Sequence, residues 1–418
     1  MKILWITNLP LPEAHDYLFH AIQAKEGWLV HLSQMLRKQT DVELYVASRT
    51  LLLEKERDFT IGGVHHYCFP SSYANNEHYL NDYWHRIYNE INPDVVHIHG
   101  TECTHSASFV KTCPQANIVV SIQGLVSMIA RYYYGGVSEH DLAKYTTLYN
   151  WYKNNTIRNS YRNMVEMGER EKYILSHVKY AIGRTEWDRI HVMNINPDIQ
   201  YFLGNETMRP LFYSNRWSIE RCTPKSIFVT QGNEPYKGLH QLLKAVAIIK
   251  NSIPNVKLTI AIAPNLTMPM SWKTRIQTKE YPLYIRDLLF SLGLERNVHV
   301  YGPLSEEGMV KAMLDCNVFV SPSAIENSPN SLCEAQLLGV PSVASYVGGT
   351  PTITDNGLAT EMYRYEEIEM LAAKIVHIFK SGVDIKRIEY ARNLALKRHN
   401  PDNNVKSLID IYHTIINK

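Results

Sequence analysis

Short runs of valine, isoleucine and aromatic residues alternate with segments whose apolar positions recur every three to four residues. That alternation predicts strands joined by crossover helices, and therefore an α/β fold built on parallel sheets. In the first half the expected strands are Lys2–Thr7, Val42–Ser48, Val64–Phe69, Asp94–His99, Ile118–Ile122, Tyr180–Arg184 and Ile199–Leu203. A second series repeats the rhythm at Ser226–Gln231, Val256–Ile262, Val298–Tyr301, Val318–Pro322 and Ser342–Tyr346. Between the two series the polar stretch Tyr213–Lys225 has no apolar period and reads as a linker. The expected organisation is a first Rossmann-like domain over residues 1–212 and a second over 213–396. Residues 397–418 then form an amphipathic helix, with Val405, Leu408, Ile409, Tyr412, Ile415 and Ile416 at spacings of three and four, which returns to the first domain. Open α/β sheets bind ligands at the carboxyl ends of their strands, so the chemistry is expected in a cleft between two facing domains.

Composition narrows the function. At 418 residues the chain is too long for one core, at roughly 150 residues per domain. The 43 Lys+Arg against 41 Asp+Glu supply no global field for nucleic acid. Six scattered cysteines form no CxxC pair and fit a reduced, cytoplasmic protein, with the inner face of the membrane as the alternative station. The opening MKILWITNLPLPEAHDY reads as a first strand and lacks the pattern of a signal peptide. No run of 18 apolar residues occurs to span a bilayer.

Nucleotide motifs are informative chiefly by absence. No GxGxxG follows any expected strand, and the Gly232–Gly238 segment lacks the Ser or Thr that a Walker loop places after its lysine. No Asp-x-Asp is present to hold a metal against a diphosphate, so neither metal nor cofactor is expected. A diphosphate would have to meet protein cations and backbone amides. Ser321–Pro341 offers such amides: Ser328 suits an N-cap, Pro329 a first helical position, and Gly339 the residue past the last turn. The helix start would face an anion at the end of the preceding strand. Glu326 and Glu334 flank it, two carboxylates able to accept hydrogen bonds from sugar hydroxyls.

These residues carry a resemblance. Glu326 and Glu334, the downstream Val347-Gly348-Gly349 and the upstream Tyr236–Ala245 (YKGLHQLLKA) resemble the retaining family 4 glycosyltransferases of GT-B fold, nearest to those of bacterial capsular and surface polysaccharide synthesis. Weaker similarity runs through Asp94–Glu102, Ser121–Gly124 and Gly183–Asp188. The resemblance implies transfer of a sugar from a UDP- or GDP-sugar donor to a growing surface polysaccharide or lipid-linked oligosaccharide, with retention and without metal. It implies that Glu326 meets the donor sugar, Glu334 the ribose, amides around Asn330, Ser331 and Leu332 the phosphates, and Lys237 the leaving diphosphate. Gly27 would let the backbone approach the donor. Two departures stand out: Asn233 occupies the place of the family's usual arginine, with Arg184 or Arg209 as replacements, and Gln123 stands where relatives place a histidine. Gln123, His99 and Arg184 are expected on the acceptor side.

Other features have plainer readings. His97 and His99 share one face of a strand, and with Glu102 invite a metal, but two ligands on a strand do not make a site. Arg131–Lys172 is rich in tyrosine and cations, which suits either a helical insertion packed on its own domain or a peripheral membrane contact receiving a lipid-linked acceptor. Two other functions use the same elements: a noncatalytic nucleotide-sugar-binding subunit of a polysaccharide assembly complex, and a GT-B epimerase or phosphorylase.

Overall fold

Strands covered on both faces need no polar alternation, and runs such as Ile3–Ile6 and Val95–Ile98 are buried at every position. The protein is described by a computed structural model covering residues 1–20, 27–39, 41–262 and 270–418. Its chain divides into two compact units. Met1–Ser127, Glu166–Arg209 and His399–Lys418 form the first; Met128–Val165 and Pro210–Arg398 form the second.

The first unit holds β1 (Lys2–Thr7), β2 (Glu43–Thr50), β3 (Arg57–Ile61), β4 (Val64–Pro70), β5 (Val95–His99), β6 (Ile118–Ser121), β7 (Tyr180–Gly183) and β8 (Gln200–Leu203). They lie in the order β3-β4-β2-β1-β5-β6-β7-β8, all parallel except β3 against β4. That edge strand was not expected from the sequence. It turns into β4 through Gly62 and Gly63, at φ 58° and 79°, the left-handed pair that a two-residue hairpin requires. The order reverses between β1 and β5, and Thr7 registers with His99, which registers in turn with Ser121. The helix Pro401–Ile416, capped by the Asn400 side chain on the Asn403 amide, buries Val405, Leu408, Ile411, Tyr412 and Ile415 against this sheet.

The second unit holds β9 (Ser226–Gln231), β10 (Lys257–Ile262), β11 (Val298–Val300), β12 (Val318–Ser321), β13 (Ser342–Ser345) and β14 (Glu361–Tyr363). The order is β11-β10-β9-β12-β13-β14, wholly parallel, with the reversal between β9 and β12. The three-residue β14 was also unexpected.

Residues 128–165 were read with the first domain, but they cluster with the second unit, and the reason is apolar. Tyr133, Val137, Leu142 and Ile157 join the core of β9, β10 and the helix Leu239–Ser252. Buried Glu280 fixes the segment by accepting hydrogen bonds from Thr146 Oγ1 (3.0 Å) and the Ile157 amide (3.1 Å). Asn150 Nδ2 donates to the Thr278 carbonyl at 2.7 Å. Three of the seven tyrosines between Arg131 and Lys172 are packing residues: Tyr133, Tyr134 and Tyr161 cluster with centroids 5.3 to 5.9 Å apart.

Candidate active site

In the second unit, the loops after β9 and β12 are knitted together before any side chain is considered. The chain leaves β9 at Gln231, makes one tight turn at Pro235–Lys237 and enters the helix Leu239–Ser252 through Gly238 at φ 73°. A Cβ at Gly238 would sit 1.8 Å from the Pro322 carbonyl oxygen, so only glycine permits that approach. The Ala324 amide donates to the Tyr236 carbonyl at 2.7 Å. Beyond β13, the Gly349 amide donates to the Glu326 carbonyl at 2.9 Å, and Gly348, at φ 50°, lies against that same oxygen. Three loops thus fix the backbone of Glu326.

On this frame Lys237 Nζ lies 2.7 Å from Glu326 Oε1, which also accepts from Ser323 Oγ at 2.7 Å. The pair is partly buried, its side chains 21% and 15% exposed. Burial alone would lower the pKa of Lys237, but Glu326, Tyr236 and Glu234 outweigh it and hold the amine protonated. The ammonium also lies 5.2 Å from the centre of the Tyr236 ring. Glu234 is pushed up by burial, against the pull of Lys279, a hydrogen bond from Tyr133 (3.2 Å) and Lys237.

The helix after β12 runs Asn330–Leu338 and ends at Gly339 in the left-handed region. Ser328 is not its N-cap. Pro329 takes that position at φ −68°, ψ 111°, and has no side-chain oxygen to offer. The amides of Leu332 and Cys333 turn back on the Pro329 carbonyl, while those of Asn330 and Ser331 lead into the helix without an intrahelical acceptor. Asn330 is exposed and Ser331 half-exposed, whereas Leu332–Leu338 are buried throughout, Glu334 among them. Asn233 is exposed on the bend after β9. The structure therefore brings Lys237 into contact with Glu326, and places Asn330, Ser331, Leu332 and Glu334 on one helix behind the Glu326 loop.

In the first unit the expected residues gather at the carboxyl ends of β5, β6 and β7. His97 Nδ1 meets Tyr412 Oη and Nε2 meets Ser121 Oγ, each at 2.7 Å, and Tyr412 Oη also accepts from Trp5 Nε1 at 3.0 Å. Burial lowers His97 to about 3, and it lowers His99 too, with His97 and Arg184 adding to the effect, so both rings are neutral. With His97, His99, Ser121, Arg184, Glu206 and Asn404 on its walls, a cavity of about 40 Å³ has room for little beyond water. Arg184 is buried and ion-paired with Glu206. The Gly183–Asp188 motif has a local role as well: Thr185 and Asp188 form a capping box for the helix Glu186–Ile195. Gln123 follows β6 in a half-buried bend. Gly27 opens the helix Gly27–Leu36, and Glu26 before it lies outside the described residues.

Glu171 had no sequence signal, since it lies among other charges in Arg131–Lys172. It is buried and accepts from the Val126 and Ser127 amides, Ser127 Oγ and Thr101 Oγ1, which ties the loop after β6 to that after β5. Among the described residues no three His, Cys, Asp or Glu side chains are grouped to hold a metal ion.

The switch of a parallel sheet, a lysine–glutamate pair and a bare helix start are groups that can meet an anion and sugar hydroxyls. In comparison with known families, residues 215–395 match Glycosyl transferases group 1. The chain is 26% identical over 182 residues to a D-inositol 3-phosphate glycosyltransferase of Corynebacterium urealyticum, a match spanning 43% of this chain and 40% of that protein. The chain thus covers about two fifths of the length of the curated relatives it matches. A sucrose-phosphate synthase from Thermosynechococcus elongatus superposes with a TM-score of 0.72 over 99% of both chains at 14% identity. Anabaena Alr3699/HepE, in complex with UDP and glucose, gives 0.67 over 99% of this chain and 100% of its own, again at 14%. Both likenesses are of fold: two Rossmann-like α/β units, the GT-B fold, with the matched residues 215–395 in the second.

Proposed function

We propose that the protein is a retaining, metal-independent glycosyltransferase of the family 4 type that takes a sugar from a nucleotide-sugar donor. The observation that carries the reading is the Lys237–Glu326 pair, held where three loops meet, with the bare amides of Asn330 and Ser331 opening the helix that follows the Glu326 loop. In the reaction, the bond from the anomeric carbon to the diphosphate oxygen breaks and a bond to an acceptor hydroxyl oxygen forms on the same face. The hydroxyl proton passes to the leaving phosphate. Negative charge grows on the diphosphate as it leaves, and Lys237 with the helix start stabilises that charge in place. Glu326 would exchange part of its contact with Lys237 and Ser323 for the donor sugar's hydroxyls, and Glu334 would take the ribose. Gly27, Gln123 and His99 are assigned to the approach of donor and acceptor from the first unit. Asn233 leaves the diphosphate one cation short of the family pattern, which puts more of the stabilisation on Lys237.

For the acceptor we propose a neutral hydroxyl of a surface glycan or lipid-linked oligosaccharide. That acceptor follows from the resemblance of Glu326, Glu334, Val347-Gly348-Gly349 and Tyr236–Ala245 to the enzymes of surface polysaccharide synthesis. UDP-sugars are the first donors to try, because the Anabaena protein of the same fold is seen with UDP and glucose.

The test is a thermal-shift panel of UDP- and GDP-sugars on the wild type and Glu334→Ala, without and then with Mg²⁺. A donor at a hundred times its dissociation constant adds about 2.7 kcal/mol of stability. A metal-independent shift with one donor, lost in the variant, supports the site. No shift with any donor removes it. Product analysis then separates glycan extension from an epimerised nucleotide sugar, a sugar phosphate, or binding without turnover.

A further inference from the structure

We infer that one face of the second unit, formed by the short helices Leu148–Tyr152 and Trp272–Gln277, docks the protein on an anionic lipid surface. The inference rests on that face and is independent of the glycosyltransferase reading. The two helices lie side by side, tied by Thr147 Oγ1 to the Ile276 carbonyl at 2.7 Å and by Asn150 Nδ2 to that of Thr278. In LYNWY the positions Leu148, Trp151 and Tyr152 fall at i, i+3 and i+4, so they share one side, while Asn150 points inward and is wholly buried. Leu148 is 87% exposed, Trp151 69% and Tyr152 77%; on the neighbouring helix Trp272 is 77% exposed. Large apolar groups concentrated in this way are unfavourable in water and mark a surface that something covers.

Charge selects the partner. Residues 142–165 contain Lys144, Lys153, Arg158 and Arg162 and no carboxylate, and residues 270–279 contain Lys273, Arg275 and Lys279 and again none. Lys144 and Arg158 reach back to Asp141 and Glu139. Lys153, Lys273 and Arg275 are exposed on or beside the two helices. Tryptophan and tyrosine rings with cations around them match the headgroup layer of a bilayer, where the ring is apolar on one side and wet on the other. A leucine at the tip enters the acyl boundary and the cations meet lipid phosphates, the two signals that stable peripheral binding requires. No helix among the described residues is long and apolar enough to cross a membrane, so the contact is one of lying on the surface.

The experiment is co-sedimentation of the full chain with vesicles of phosphatidylcholine alone and of phosphatidylcholine containing about one third phosphatidylglycerol, at low and high salt. The expected result is partition onto the anionic vesicles that salt weakens. Trp151→Ser with Trp272→Ser should lower it about tenfold or more. Neutralising Lys153, Lys273 and Arg275 to glutamine should lower it about a hundredfold, at roughly fivefold per cation, with the thermal melt of each variant unchanged. Three outcomes overturn the inference: no partition of the wild type, equal partition of wild type and both variants, or a dimer in light scattering that Trp151→Ser dissolves without any vesicle binding.

Discussion

Gly348→Ala tests the site without touching any group proposed to contact substrate. A Cβ there would stand 1.9 Å from the Glu326 carbonyl oxygen, and real contacts of this kind do not fall under 3.0 Å, so the gap must open by about 1.1 Å (3.0 − 1.9). The carbonyl that has to move belongs to the residue whose carboxylate meets Lys237, and it is also the acceptor for the Gly349 amide. Displacing a reacting constellation by about 1 Å costs on the order of 10²-fold in rate. The stability cost is smaller: about 1–2 kcal/mol for a non-glycine residue at positive φ, and about 1 kcal/mol for the weakened hydrogen bond. Gly302→Ala is the control, because Gly302 is also left-handed, at φ 91°, with nothing within 4 Å of its added Cβ. Turnover of the nucleotide sugar identified by thermal shift, measured beside a melt of each variant, reads both effects. The reasoning fails if Gly348→Ala keeps turnover within about threefold of Gly302→Ala while both remain folded.

Acid should act chiefly on the first unit, where burial depresses His66 to about 4 and His97 and His105 to about 3. A depressed folded pKa means that the unfolded chain takes up the proton first, so the stability is full above pH 6.5 and is lost as pH falls toward 4 and 3; at pH 5 each histidine accounts for about 2 kcal/mol. Glu102 and Glu171, raised by burial, oppose the loss. Calorimetry at pH 7.5 and 5 should show the first unit weakening more, with His97→Gln restoring about one histidine's share; equal loss in both units would refute it. Glu280→Ala leaves the Ile157 amide and the Thr146 hydroxyl without their acceptor, at about 2–5 kcal/mol together, and limited proteolysis should then cut first within residues 139–156. Tyr412→Phe strands Trp5 Nε1 and one partner of His97, so the melt of the first unit should fall by about 2–4 kcal/mol, and an unchanged melt would remove the network from the stability argument.

The strands were legible because a two-faced buried run such as Ile3–Ile6 admits few other readings. β3 and β14 escaped because an exposed edge such as RDFTI and a three-residue strand present no apolar run. Lys237 and Glu326 are 89 residues apart, and only the family resemblance put them together in the sequence; the structure supplies the contact. The cap at Ser328 was misread because extended backbone at Pro329 starts the helix one residue later. The allegiance of Tyr133 was illegible for a different reason. A tyrosine looks the same whether its ring meets lipid or a core, and it is the hydroxyl's partner, here Glu234, that settles which.

The interleaving of the two units has a consequence during synthesis. Trp5 lies on the first strand, but the hydroxyl that accepts its N–H belongs to Tyr412, 407 residues later. At about 5–20 residues per second, the ribosome needs roughly 20–80 s to deliver that partner. The second unit has its last residue, Arg398, before the first unit receives His399–Lys418. The domain that begins first is therefore finished last, and in the interval the nascent sheet lacks the terminal helix on the face of Trp5 and His97, which both meet Tyr412 in the finished fold. A chaperone that shields that face would act on a substrate defined by the order of the gene.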